Sequence, residues 1–85
     1  MTQFAYFYFM KHEPEQLRSA IPKHVHYWQG MTLNDYLGGP FADGSGGLIL
    51  FDVGDHDEAR SVVDSDPFVL EDLLASYWLK QWSPG

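Results

Sequence analysis

The chain has 85 residues and lies below the ~100 to 150 residues of an ordinary domain, so residues 1–85 are expected to form a single domain with one core. Its 45% apolar and 16% aromatic content is rich for so small a chain, which buries only ~60 to 65% of its unfolded surface, so some apolar surface is expected to meet another subunit or a ligand. A formal charge of −7 repels phosphate backbones and anionic membranes and argues against nucleic-acid binding.

Residues Gln3–Met10 are short and aromatic, which favours a strand with Phe4, Tyr6 and Tyr8 on one face and Ala5, Phe7 and Phe9 on the other. Both faces are apolar, so both need cover. Leu17, Ile21, Val25 and Trp28 then recur at roughly helical spacing and predict a helix to about Gly30, with Ser19 as a candidate cap and Pro22 in its first turn. Leu33–Phe41 and Gly47–Val53 read as two strands around the turn Ala42-Asp43-Gly44-Ser45-Gly46.

Asp55 followed by Glu58 is an acidic variant of the capping box and opens a second helix through Ala59, Val62 and Val63. Asp66-Pro67 ends that helix, a short one follows from Phe68 to Leu74, and Ser76–Trp82 closes the chain as an aromatic strand. The order βαββαβ, with the extra short helix, is the ferredoxin-like α+β pattern: an antiparallel sheet with helices on one face. Two such sheets packed open face to open face would hide their apolar sides, so a homodimer with pockets near the sheet interface is expected, although a ligand or another partner could cover the same face.

The absence of cysteine removes disulfides, Cys-ligated zinc, iron–sulfur clusters and thiolate nucleophiles. The apolar opening Phe4–Met10 follows no basic residue and is far short of the ~20 residues of a membrane span, so the expectation is a soluble, cytoplasmic protein with no membrane partner.

Four histidines, His12, His24, His26 and His56, are the natural candidates for proton transfer near neutral pH. His24 and His26 would chelate a metal on a strand but diverge on a helix, so no metal site is expected. His24 follows the apolar stripe toward the sheet, where it is either an acid–base group or a buried, hydrogen-bonded histidine. Asp66, held before a proline, can cap the next helix and also orient an imidazole, because its two oxygens accept from several donors at once. The glycines around Ser45 precede no Lys-Ser/Thr and so form no phosphate loop, and Ser45 lacks the setting of a nucleophile.

The aromatic first strand, Pro22-Lys23-His24-Val25-His26-Tyr27-Trp28, Gly38-Gly39-Pro40-Phe41, Asp43-Gly44-Ser45-Gly46-Gly47, Leu48–Phe51, Glu58-Ala59 and Asp66-Pro67-Phe68 together resemble the YCII (YciI-like) family. The resemblance implies a dimeric α/β barrel with a site built on His24 and Asp66. It also implies small cyclic substrates, since one relative class dehydrochlorinates a ring-hydroxylated aromatic and related barrels include lactone isomerases and monooxygenases. In two respects the chain departs from the family: Ile21-Pro22-Lys23 stands where an Arg is usual, Arg18 being the nearest, and the segment from the histidine to Gly39-Pro40 is short.

The expectation is therefore a homodimeric, cofactor-independent enzyme that moves a proton on a small aromatic or cyclic molecule. His24 would be the general acid or base, Asp66 would orient it, and Pro40 and Ser45 would line the pocket. The alternatives are a module that binds a small metabolite without turnover and a purely structural dimerisation module.

Overall fold

A computed structural model describes residues 1–85. The elements run β1 (Thr2–Met10), α1 (Pro14–Gly30), β2 (Asn34–Pro40), β3 (Gly46–Val53), α2 (His56–Asp64), α3 (Pro67–Leu70) and β4 (Leu74–Gln81). The sheet order is β2-β3-β1-β4, with every neighbouring pair antiparallel. This is the expected α+β, ferredoxin-like architecture, in which each crossover helix returns the chain past an intervening strand.

Alternation along β1 decides which face the helices cover. Phe4, Tyr6 and Tyr8 are buried and pack with Ile49, Phe51 and Val53 of β3, with Ala20 and Trp28 of α1, and with Ala59, Val63 and Phe68. The opposite face carries Phe7 and Phe9 of β1 and, across from Phe7, Trp78 of β4, whose rings stack at 5.4 Å. Phe9, Leu37 and Trp78 are exposed within the single chain. Thus the pattern that made β1 apolar on both sides leaves one sheet face open.

Three local expectations change. The first helix begins at Pro14 rather than near Ser19, with Glu13 at the cap position and no side-chain cap bond. Proline suits that first position, because its fixed φ is helical and its missing N–H would have had no partner there. Pro22 is consequently inside the helix, where the Arg18 carbonyl loses an amide partner, and the exposure of both residues lets water replace it. The buried stripe is Ala20, His24 and Trp28, while Ile21 and Val25 are nearly half exposed, so the helix is rotated by about one residue from the stripe read in the sequence. Finally, β4 starts at Leu74, since Leu73 and Leu74 are buried where the chain turns from α3 into the sheet.

The second helix is capped as its sequence predicts. Asp55 Oδ1 accepts from the Glu58 backbone N–H (2.9 Å), and Glu58 Oε2 reaches back to the Gly54 N–H (3.1 Å). Tyr27 then ties α1 to α2 by donating its hydroxyl to the Val62 carbonyl at 2.6 Å. These ties bring the start of α3 up against the middle of α1.

Candidate functional site

The polar centre of the molecule lies where that approach happens. Asp66, with 0% exposure, caps α3 by accepting the Phe68 backbone N–H on Oδ1 at 2.9 Å. Oδ1 is also 2.8 Å from His24 Nδ1, while Oδ2 accepts from the Tyr6 hydroxyl (3.0 Å) and from Trp28 Nε1 (3.1 Å). The sequence separation between His24 and Asp66 is 42 residues, and α1 and the short α3 supply the two ends. The cap and the histidine partner are one carboxylate performing both roles.

The donor set places a proton on Nδ1 of the imidazole. The Phe68 amide and the Trp28 indole can only donate, Tyr6 points its hydroxyl at the same group, and an ionised carboxylate only accepts. His24 Nδ1 is therefore the fourth donor, and in the neutral ring Nε2 is the unprotonated nitrogen. The Phe68 ring lies parallel to the imidazole with centroids 3.9 Å apart, so packing as well as hydrogen bonding holds the ring in place. Burial, reinforced by the Asp66 charge, pushes the Tyr6 phenol far above its ordinary range, and Tyr6 remains a donor.

His24 also lines a cavity of about 280 Å³, and its side chain is 11% exposed. The cavity lies between α1 and the β2–β3 hairpin. Tyr8, Leu17, Ile21, Tyr36 and Phe68 supply apolar and aromatic walls, and Gly38, Gly39, Pro40, Gly44 and Gly46 supply a wall almost without side chains. No Lys, Arg, Asp or Glu lines it. Its size is near the lower end of small-molecule sites and suits a ligand of about one ring.

The residues singled out in the sequence fall as follows. His24 and Asp66 are in contact, and Pro40 is in the cavity wall. Ser45 is exposed in the β2–β3 turn, where its N–H donates to Asp43 Oδ1 at 2.9 Å, and the cavity wall there is formed by Gly44 and Gly46 instead. The Ser45 side chain first, and then this backbone N–H, hold the Asp43 carboxyl below its usual range. His26 is exposed on α1 and diverges from His24, while His12 and His56 are also exposed. Arg18 is exposed as well and does not line the cavity. Tyr6, Tyr8 and Trp28, which complete the polar centre, read in the sequence only as core aromatics. Their alternation toward the helices places the rings, but nothing local marks their polar atoms as partners of Asp66 and His24.

A four-stranded antiparallel sheet with helices on one face and a buried His–Asp pair beside a cleft defines a ferredoxin-like α+β domain. The chain belongs to the YCII-related domain family, which it matches over residues 1–83. No curated protein matches it. Among solved structures it is similar to the 5-chloro-2-hydroxyhydroquinone dehydrochlorinase of Burkholderia phenoliruptrix AC1100 in complex with 2,5-dihydroxybenzoquinone. That similarity has a TM-score of 0.81 at 22% identity and covers 98% of this chain and 95% of that one. It is also similar to an antibiotic biosynthesis monooxygenase (TM-score 0.70, 10% identity, 100% and 99% covered). A variant of SnoaB, a cofactor-independent oxygenase from Streptomyces nogalater, matches with a TM-score of 0.57 and 12% identity over 98% and 91% of the two chains. At these identities the likeness establishes the fold. No helix is long and apolar enough to cross a membrane.

Proposed function

We propose that the protein is an enzyme that moves a proton on a small cyclic molecule without a cofactor. The observation that carries this reading is the His24 Nδ1 to Asp66 Oδ1 contact of 2.8 Å at the wall of a cavity. His24 Nε2 takes the proton; Asp66 holds the ring in the required tautomer and offsets the charge of the imidazolium that forms. The ring-shaped ligand of the dehydrochlorinase and the cofactor-independent chemistry named for SnoaB support the same reading, as does the one-ring scale of the cavity.

Two copies of the chain associate in this reading through the open sheet face, where Trp78 packs against both Phe7 and Phe9. The cavity lies on the helix-covered side of the sheet, not near the sheet interface as the sequence suggests, because its walls come from α1 and the β2–β3 hairpin.

The test is solvent hydron exchange. Hydroxylated aromatic and cyclic carbonyl compounds are incubated with the protein in D₂O, and deuterium incorporation at carbon is followed by NMR. Loss of a general base lowers such rates by about 10²- to 10⁴-fold, so His24→Gln is expected to abolish protein-dependent incorporation. Equal incorporation by the folded variant would overturn the reading.

A further inference from the structure

His24 Nε2, the nitrogen turned away from Asp66, has a partner of its own. It lies 3.3 Å from the hydroxyl of Tyr8 on β1, and Tyr8 lines the same cavity. Because Nδ1 carries the proton of the neutral ring, Nε2 can only accept, and Tyr8 is the donor across this contact. Burial first, and then the Asp66 charge, raise the Tyr8 phenol well above its ordinary range, so the hydroxyl keeps its proton. The sheet also makes room for it. Gly47 stands opposite Tyr8 in the β1–β3 register, and a Cβ at that position would collide with the Tyr8 hydroxyl.

The cavity wall also selects by charge. With no lysine or arginine lining it, a ligand carboxylate or phosphate would be desolvated there unpaired, close to the buried Asp66 charge. A neutral ligand with an acidic O–H meets no such penalty. It enters uncharged and develops its charge only between two groups that can manage it.

We propose that Tyr8 is a second catalytic residue, whose hydroxyl donates to the ligand oxygen as His24 Nε2 removes the proton from it, and that the ligand class is a neutral phenol or enol. This rests on the His24–Asp66 acid–base reading. In the step, the ligand O–H bond breaks, its electron pair stays on the oxygen, and an N–H bond forms at Nε2. The Tyr8 O–H, released from Nε2, rotates about its C–O bond to donate to the new oxyanion. No electrons are gained or lost. The resulting imidazolium is hydrogen-bonded through Nδ1 to Asp66, so the pair of charges created is held at both ends.

The probe is 4-nitrophenol, whose absorbance separates the phenol from the phenolate, with benzoate as the anionic control, titrated about one pH unit below the pKa of the free phenol. The wild-type protein is expected to bind the probe as phenolate and to bind benzoate far more weakly. A hydrogen bond to a charged oxygen corresponds to about a tenfold to hundredfold change in affinity, so Tyr8→Phe is expected to weaken phenolate binding by that factor. His24→Gln is expected to bind only neutral phenol. Undiminished phenolate binding by Tyr8→Phe, with loss in His24→Gln, overturns the role of Tyr8 and leaves the acid–base reading standing. Phenolate bound equally by both variants overturns both. Capture of the neutral form by the wild type overturns the proton transfer to His24, and preference for benzoate, or no binding at millimolar probe, overturns the ligand class.

Discussion

Replacing Asp66 by Asn changes one atom and keeps the shape of the side chain, yet the network around it predicts a large loss of stability. The carboxylate is fully buried and both oxygens are filled, Oδ1 by His24 Nδ1–H and the Phe68 amide, Oδ2 by the Tyr6 hydroxyl and the Trp28 indole. An asparagine oxygen can serve only one of those pairs. If it serves His24 and Phe68, its NH₂ faces Tyr6, which can rotate and accept, and Trp28, which cannot. A stranded buried donor costs about 1–3 kcal/mol, and each remaining bond loses about 1 kcal/mol when its acceptor is no longer charged. The sum is about 3–5 kcal/mol, a large share of the ~5–15 kcal/mol that holds a domain together. For a domain of this size it lowers Tm by about 15 °C or more. Urea denaturation at one fixed protein concentration, followed by far-UV circular dichroism, measures it, with Asp64→Asn at an exposed position as the control. An Asp66→Asn protein within about 1 kcal/mol of the wild type would refute the four-donor description of the site.

Alkali should act through Tyr6 and Tyr8. Both phenols are raised from 10.0, so the folded chain keeps protons that the unfolded chain releases, and stability is intact below about pH 10 and falls as pH rises further, by about 1.4 kcal/mol per pH unit for each tyrosine. Urea midpoints that stay flat to about pH 11 would contradict this. Gly46→Ala should fail to fold or lose more than about 3 kcal/mol, since the added Cβ would collide with the Tyr8 carbonyl oxygen, whereas Gly30→Ala, with open space at that position, should be neutral or stabilising; parallel thermal melts compare the two. Trp78→Glu, on the open sheet face, should turn the proposed homodimer into a monomer by sedimentation equilibrium, and a wild-type protein that is already monomeric would remove that association.

The fold was legible because its signals are local and agree with one another: the aromatic alternation of β1, the glycine turn between β2 and β3, and the Asp55 and Asp66 caps each mark an element or its end. The start of α1 was misread for an equally local reason, since Pro14 is a better first residue than Ser19 is a cap. The rotation of α1 was not legible, because the apolar stripe Leu17, Ile21, Val25 lines a cavity and the core stripe Ala20, His24, Trp28 includes a polar member. His24 and Asp66 could be paired only through the resemblance to the YCII family. Nothing in the spacing of 42 residues joins them, and Tyr8 and Trp28 gave no sign that their polar atoms complete the site. Side-chain polar networks are set by tertiary packing, and sequence periodicity records only the faces on which their members stand.

In the proposed mechanism His24 holds its proton on Nδ1 against Asp66 and offers Nε2 to a ligand. The imidazole ¹⁵N signals of uniformly labelled protein, recorded near neutral pH with and without saturating 4-nitrophenol, test it most directly. The proposed mechanism requires a protonated Nδ1 and an unprotonated Nε2 in the free protein, with Nε2 becoming protonated when the phenol binds. A free protein with its proton on Nε2, or an Nε2 signal unchanged in the complex, would contradict it.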